Sequence, residues 1–405
     1  MMVEGPALQA AIGRLPEREL NLAAWGLTIQ LSLLVESPVI MLLATSIALA
    51  RDKAAWEALR RFVLNLCLGC TVVAGVLAFT PLYSLVTRQI MRVPEPIVVL
   101  AMPALGVMLL WSAAIGWRRS CQGLLVRYGQ SRFVSWGTAI RLGTLGTTAA
   151  VLVHLGTMTG VVTAAISIMA GVLAEAVTAT LFVQPTLRAL SEPVAPPPTQ
   201  RSILTFHLPL AVTSLISLLA GPLESAFLAR LPHPVETLAT WPVAFMLILV
   251  VRSGCFALQE VTVAQAADAR LSTFAWAVGL AASAILLCVV ATPLLPTYLE
   301  HVIHLPPTLW SGVRSACLLA AVVPVITALS AHRRGLCVAA HETSRVYKAM
   351  GMSLLAQTAF LAGGVWLQGW PMGIAAGGLT TAAVVEYLSL RGGSAAPRQS
   401  EPHGA

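Results

Sequence analysis

Four ionisable residues of this chain lie where such groups are rare, inside long apolar runs. Glu36 interrupts WGLTIQLSLLVESPV at 25–39, Arg252 follows LILVV at 247–251, Glu260 stands eight residues beyond Arg252, and Glu224 sits near the end of the apolar stretch 203–228. A carboxylate in such a place can take up a proton or a cation, and a guanidinium can pair with a carboxylate or phosphate. Ionisable groups at membrane depth therefore mark ion and solute pathways unless they pair with each other. Catalysis would need a recognisable constellation, and the sequence has no HExxH, no GxSxG and no GKS or GKT loop; no aspartate falls inside a predicted helix core. The reading is of a protein that is not an enzyme and has no cofactor. A coupling ion, H+ or Na+, remains open. Cys67 and Cys70 form a CxxC without a second pair or a nearby histidine, and are read as small buried residues rather than a metal or redox site.

The elements that position these groups follow from composition. A chain of 405 residues that is 57% hydrophobic, 10% charged and +0.81 in mean hydropathy is a polytopic membrane protein. This excludes a soluble enzyme, a nucleic-acid-binding domain and a disulfide scaffold. Eleven apolar segments are long enough to cross a hydrocarbon core of roughly 30 Å as helices, at approximately 23–49, 62–86, 96–117, 134–157, 159–183, 203–228, 239–265, 273–296, 309–331, 349–368 and 371–390. With the N-terminus external, seventeen basic residues fall in the inner segments and five in the outer ones, so the C-terminus is expected in the cytoplasm and the protein in the inner membrane. The formal charge of +8 reflects this loop bias and points to no nucleic acid partner. The bilayer and a small solute are the expected partners, and the protein is expected to be monomeric.

The chain resembles itself. RLPERELNLAAW at 14–25 aligns with RLPHPVETLATW at 230–241 at an offset of 216, a register that still holds where Asp52 meets Asp268. FTPLYSLVTRQIMRVPEPI at 79–97 matches ATPLLPTYLEHVIHLPPTL at 291–309, and QGLLV at 122–126 matches RGLCV at 334–338, at 212. Two similar halves running in parallel are expected. They divide into an N-terminal lobe at 1–188, a cytoplasmic Pro-rich linker at 189–202, a C-terminal lobe at 203–390 and a disordered cytoplasmic tail at 391–405. The second half opens with a helix at 203–228, and the first half has no counterpart before its RLP motif. The expectation is eleven helices, twelve minus the first, with a genuine eleven-helix protein as the alternative.

The repeat lays Glu36 on Arg252 at the same offset of 216. An acid and a base at equivalent depths in opposite lobes would face each other across a central cavity, or each would serve a separate structural network. Glu260 extends that polar stripe or pairs with Arg252. Pro38, after Ser37, removes a backbone hydrogen bond and should bend its helix beside Glu36. Glu224 is a candidate for solute or cation entry, and His207 is read as loop-facing or capping. Glu175 and Glu386, near-equivalent on the last helix of each half, are read as lobe-stabilising. Arg141 and Arg314 are read as snorkelling to the interface, and Trp25 and Trp241 as interfacial anchors. Arg118, Arg119 and Arg127 in one half and Arg333, Arg334 and Arg345 in the other are placed around the cytoplasmic mouth, where they attract anions or satisfy the positive-inside bias.

Two parallel six-helix halves, with CQGLLVRYGQSR at 121–132 and its partner RRGLCVAAHETSR at 333–345, resemble the multidrug/oligosaccharidyl-lipid/polysaccharide flippase superfamily, which includes the MATE transporters. Within it, WGLTIQLSLLVESPV at 25–39 and TPLYSLVTRQIMRVPEPI at 80–97 look most like the progressive ankylosis membrane proteins. The resemblance implies a MATE-like secondary transporter or exporter that works by alternating access on a small amphipathic or anionic solute. For ankylosis proteins it implies export of citrate, ATP or pyrophosphate. A flippase for lipid-linked oligosaccharide and a transport-inactive membrane scaffold are the alternatives.

Overall fold

The computed structural model describes residues 4–192, 196–265, 268, 270–340 and 342–391, and among them there are helices and no strands. In chain order the first elements are α1 (Glu4–Gly13), α2 (Arg18–Ile40), α3 (Leu42–Leu49), α4 (Lys53–Phe79) and α5 (Pro81–Ser84), followed by a turn of π-helix at Leu85–Ile90. Then come α6 (Glu95–Val107), α7 (Trp111–Arg127), α8 (Arg132–Leu155), α9 (Gly160–Arg188) and α10 (Gln200–Leu228). The remainder comprises α11 (Pro234–Phe256), α12 (Leu258–Ala264), α13 (Arg270–Ala291), α14 (Leu294–Thr297), a second π-helical turn at Tyr298–Ile303, α15 (Pro307–Leu319), α16 (Val323–Ala339), α17 (Thr343–Trp366) and α18 (Pro371–Arg391). Among the described residues ten helices are long and apolar enough to span a membrane, or eleven if the bent pair α15 and α16 counts as one span. The protein is an all-α, multi-pass membrane protein.

The repeat is written into the backbone. The span made by α2 and α3 breaks at Met41, and the span made by α11 and α12 breaks at Ala257, 216 residues on. Left-handed residues recur in pairs: Glu17 (φ 51°) with His233 (φ 52°), Arg92 (φ 56°) with His304 (φ 56°), and Gly156 (φ 60°) with Gln368 (φ 49°). Outside glycine this conformation costs about 1–2 kcal/mol, so its return at matched positions marks turns that both repeats need. Asp52 accepts a hydrogen bond from the Ala55 amide at 2.8 Å to cap α4, and Asp268 accepts one from the Arg270 amide at 2.8 Å as α13 begins.

Two crossings repeat as well. A Cβ on Gly123 of α7 would lie 2.5 Å from Ser46 Cβ and 2.6 Å from the Leu43 carbonyl of α3. A Cβ on Gly335 of α16 would lie 2.6 Å from Thr262 Cβ and 2.7 Å from the Gln259 carbonyl of α12. Only glycine permits either approach.

The chain forms two compact units, but their boundary is not the Pro-rich linker. The first unit runs to Arg230 and regains Pro234–Ala239; the second takes Leu231–His233 and continues from Thr240. The reason is α10, which packs on α2. Ser225 donates to Gln30 Oε1 at 2.7 Å, and His207 reaches both the Pro38 carbonyl (2.9 Å) and the Thr45 hydroxyl (2.8 Å). The linker itself is tied to the same unit, with Arg51 donating to the Pro196 carbonyl at 2.9 Å and Gln200 to the Ala58 carbonyl at 2.7 Å. Beyond Arg391, the expected tail lies outside the described residues.

α1 is an element the hydropathy pattern did not announce. It is buried along Leu8–Gly13 and packs on α2, α8 and α9. Its sequence, GPALQAAIGRLP from Gly5 to Pro16, repeats GPLESAFLARLP from Gly221 to Pro232 at the end of α10. The repeat thus begins nine residues before the RLP motif that first reveals it.

Candidate functional site

The first unit encloses a centre of buried charge at Glu175. On α7, Trp111, Arg118 and Gln122 are spaced by seven and four residues, which puts them on one helical face. Arg118 and Gln122 both donate to the Glu175 carboxylate of α9, Gln122 at 2.9 Å. Arg141 of α8 reaches the same carboxylate at 3.4 Å and donates to Glu4 of α1 at 2.5 Å. Glycines let the helices come close enough. A Cβ on Gly171, one turn before Glu175, would meet the Arg141 carbonyl at 2.9 Å, and one on Gly137 would meet Glu175 Cγ at 3.4 Å. Arg118 and Glu175 are each 1% exposed, and Arg141 is 2% exposed.

Glu36 belongs to the same interior. It is 4% exposed, accepts a hydrogen bond from the Trp111 indole N–H, and lies within electrostatic reach of Arg118, Arg119 and Arg141. Three carboxylates, Glu4, Glu36 and Glu175, thus share one unit's interior with three guanidiniums. Isolated charges would be prohibitively costly at this depth, and mutual compensation is what permits them.

The second unit holds a reduced version. Arg334 of α16 stands 3.4 Å from Glu386 of α18, with both side chains nearly one-fifth exposed. At the offset of 212 Arg334 answers Gln122, and Ser330 and Ser353 stand where the first unit has Arg118 and Arg141; Glu386 answers Glu175 one residue out of that register, at 211. His332 of α16 pairs with the Thr262 hydroxyl of α12 at 3.0 Å. Arg252 of α11 is half-buried, with its guanidinium 5.7 Å from the Phe245 ring and 5.5 Å from the Phe256 ring.

These placements redistribute the residues expected from sequence. Arg118 is no mouth residue, because it is spent on Glu175 in the interior. Arg141 does not snorkel, because Glu4 and Glu175 compensate it where it stands. His207 is not loop-facing: it is buried and bonds to α2 and α3 on both sides of their break, three residues after the bend expected at Ser37 and Pro38. Glu260 is exposed on α12, beyond the break at Ala257, and makes no hydrogen bond or ion pair with Arg252 among the described residues.

Glu224 is buried in the first unit near the end of α10, and Arg119 is half-buried on α7. Arg127 is exposed and donates to the Ile47 and Ala48 carbonyls, capping α3. Arg333 is half-buried, and Arg345 donates to Glu342 at 2.8 Å. Sequence reading missed Glu4, Trp111 and Gln122 as partners. The only signal for Trp111 and Gln122 was their helical spacing from Arg118. Among the described residues no cluster of histidine, cysteine and carboxylate side chains could hold a metal ion.

No protein-family model and no curated protein sequence matches the chain. Solved structures do. An inward-facing multidrug-resistance MATE family transporter of the MOP superfamily superposes with a TM-score of 0.74 at 17% identity, covering 96% of this chain and 94% of its own. The lipid II flippase MurJ in an inward closed conformation gives 0.71 at 11% identity, covering 96% and 84%. An outward-facing MATE family transporter gives 0.59 at 20% identity, covering 96% and 91%. The chain has a MATE-like fold over nearly its whole length.

Proposed function

We propose that the protein is a membrane transporter that works by alternating access and moves a small amphipathic or anionic solute. The observation that carries this reading is the likeness of almost the entire chain to transporters solved in both inward-facing and outward-facing conformations. The repeated backbone supports it, since two similar units are what a rocking mechanism uses. Without a nucleotide-binding loop in the sequence, the driving force is an ion gradient, the membrane potential or the solute's own gradient. H+ and Na+ are the ions to test. Arg252 is the first residue we assign to the solute, because a guanidinium held against two aromatic rings can exchange that contact for an anion. Glu36, Glu260 and Glu224 complete the proposed polar pathway. The protein is assigned to the inner membrane with a cytoplasmic C-terminus, on the distribution of its basic residues.

The test is uptake in proteoliposomes of labelled citrate, ATP, pyrophosphate and a cationic dye, by wild type, Arg252→Gln and the Glu36→Gln, Arg252→Gln double variant. The expected result is movement of an anion that both variants abolish, with Arg252→Gln melting close to wild type. Transport unchanged in Arg252→Gln removes that residue from the pathway. A second reading, flipping of a lipid-linked substrate, is favoured by the coverage of the MurJ fold. It is supported instead if no soluble solute moves and polyprenyl-phosphate lipids alone stabilise the protein.

A further inference from the structure

Arg314 carries a charge that the first unit does not have. Counting back 212 residues places Met102 at its position, Val98 at that of Trp310 and Val99 at that of Ser311. Arg314 lies seven residues into α15, about 10 Å along the helix axis from Pro307. It is exposed and makes no hydrogen bond or ion pair among the described residues. Glu300, an acid of the adjoining π-helical turn, lies 3.9 Å from the His301 ring and makes no ion pair with Arg314. A guanidinium on so apolar a helix pair, without an internal partner, finds its counter-charge outside the protein.

The surroundings are shaped for one. Arg314 lines a cavity of about 550 Å³ between the end of α13, the α14 segment and the start of α15. Thr292, Trp310 and Ser311 supply its polar edge, with Trp310 oriented by donation to the Leu305 carbonyl at 2.9 Å, while Leu295 and Leu299 form its apolar floor. We propose that this cavity binds an anionic phospholipid, whose phosphate is held by Arg314 and the hydroxyls of Thr292 and Ser311, and whose acyl chain lies along the apolar wall. Charge complementarity selects the headgroup: a zwitterionic lipid brings its own cation to the phosphate, whereas phosphatidylglycerol leaves the phosphate charge to the protein. The assignment does not depend on what the protein transports.

The experiment compares the full-length protein with Arg314→Met, the residue of the first repeat, in neutral detergent supplemented with phosphatidylglycerol, phosphatidylcholine or inorganic phosphate. Phosphatidylglycerol is expected to raise the melting temperature of wild type by several degrees and that of Arg314→Met by less than half as much, with the two proteins alike in phosphatidylcholine. A second readout holds if the variant folds poorly. Brominated phosphatidylglycerol should quench the emission lost in Trp310→Phe more strongly than brominated phosphatidylcholine does. An equal phosphatidylglycerol shift in both proteins would place the lipid effect at the basic loops and overturn the proposal. So would a shift produced by inorganic phosphate alone, or equal quenching by the two brominated lipids, which would leave Arg314 merely reaching for the interface.

Discussion

Glu175 is the single carboxylate on which two buried guanidiniums converge, so its neutralisation should be the most damaging isosteric change in the first unit. Glu175→Gln takes from Arg118 its ion-pair partner and leaves Arg141 with Glu4. Breaking a buried pair in this way costs about 3–5 kcal/mol. Glu386→Gln removes the corresponding acid of the second unit from a single, less deeply buried arginine, and should cost less than Glu175→Gln does. Melting in detergent checks the contrast, and equal losses would show that burial does not decide the worth of these acids. Trp111→Phe tests the third acid: it deletes a hydrogen bond to a charged group, worth about 1.5–3 kcal/mol. A variant as stable as wild type would mean that Glu36 is held by the arginines alone. At this scale the sequence was legible where rarity speaks, since an acid in an apolar run is conspicuous. It was silent about partners, because Trp111 and Gln122 look like any interfacial tryptophan and glutamine until α7 is laid against α2 and α9.

Between helices, the glycines at the two matched crossings make the sharpest prediction. Gly123→Ala and Gly335→Ala each drive a methyl group into a backbone carbonyl of the facing helix, which cannot yield as a side-chain tip would. Each should destabilise by about 1–3 kcal/mol. Gly254→Ala, where an added Cβ meets nothing within 4 Å, should instead stabilise by about 0.5–1 kcal/mol through helix propensity. Thermal denaturation of the three variants separates close approach from a general dislike of larger residues, and a stable Gly335→Ala would refute the crossing. Spans of this length were readable because an 18-residue apolar run has few other fates. Three features were not readable from hydropathy. The helical turns at 87–90 and 297–303 fall between the expected spans, because the charges of Arg88 and Glu300 and the prolines that follow lower the local average. The breaks at Met41 and Ala257 leave the apolar run uninterrupted, although Pro38 foretold the first to within a turn. α1 is too short and too polar, with Glu4, Gln9 and Arg14, to stand out except through its likeness to the end of α10.

For the whole molecule, the question is which helices travel together. Internal similarity assigns α10 to the second repeat, whereas its packing assigns it to the first unit, through Gln30, Pro38 and Thr45. Sequence similarity records descent and says nothing about which neighbour a helix buries its face against, so the repeat divides the chain at the linker 189–202 while the contacts of α10 carry the first compact unit past it. The two assignments differ in a measurable way. A Cβ on Gly221 would lie 3.4 Å from Gln30 Cγ, close enough for cysteines at the two positions to reach each other. With the native cysteines replaced, Gln30→Cys, Gly221→Cys should form a disulfide under mild oxidation. If α2 and α10 move as one body, the bridge should form at the same rate with and without solute or ion gradient, and the oxidised protein should keep most of its transport activity. Bridging confined to one condition, or transport abolished by oxidation and restored by reductant, would mean that α10 leaves α2 during the cycle and follows the repeat to which its sequence belongs.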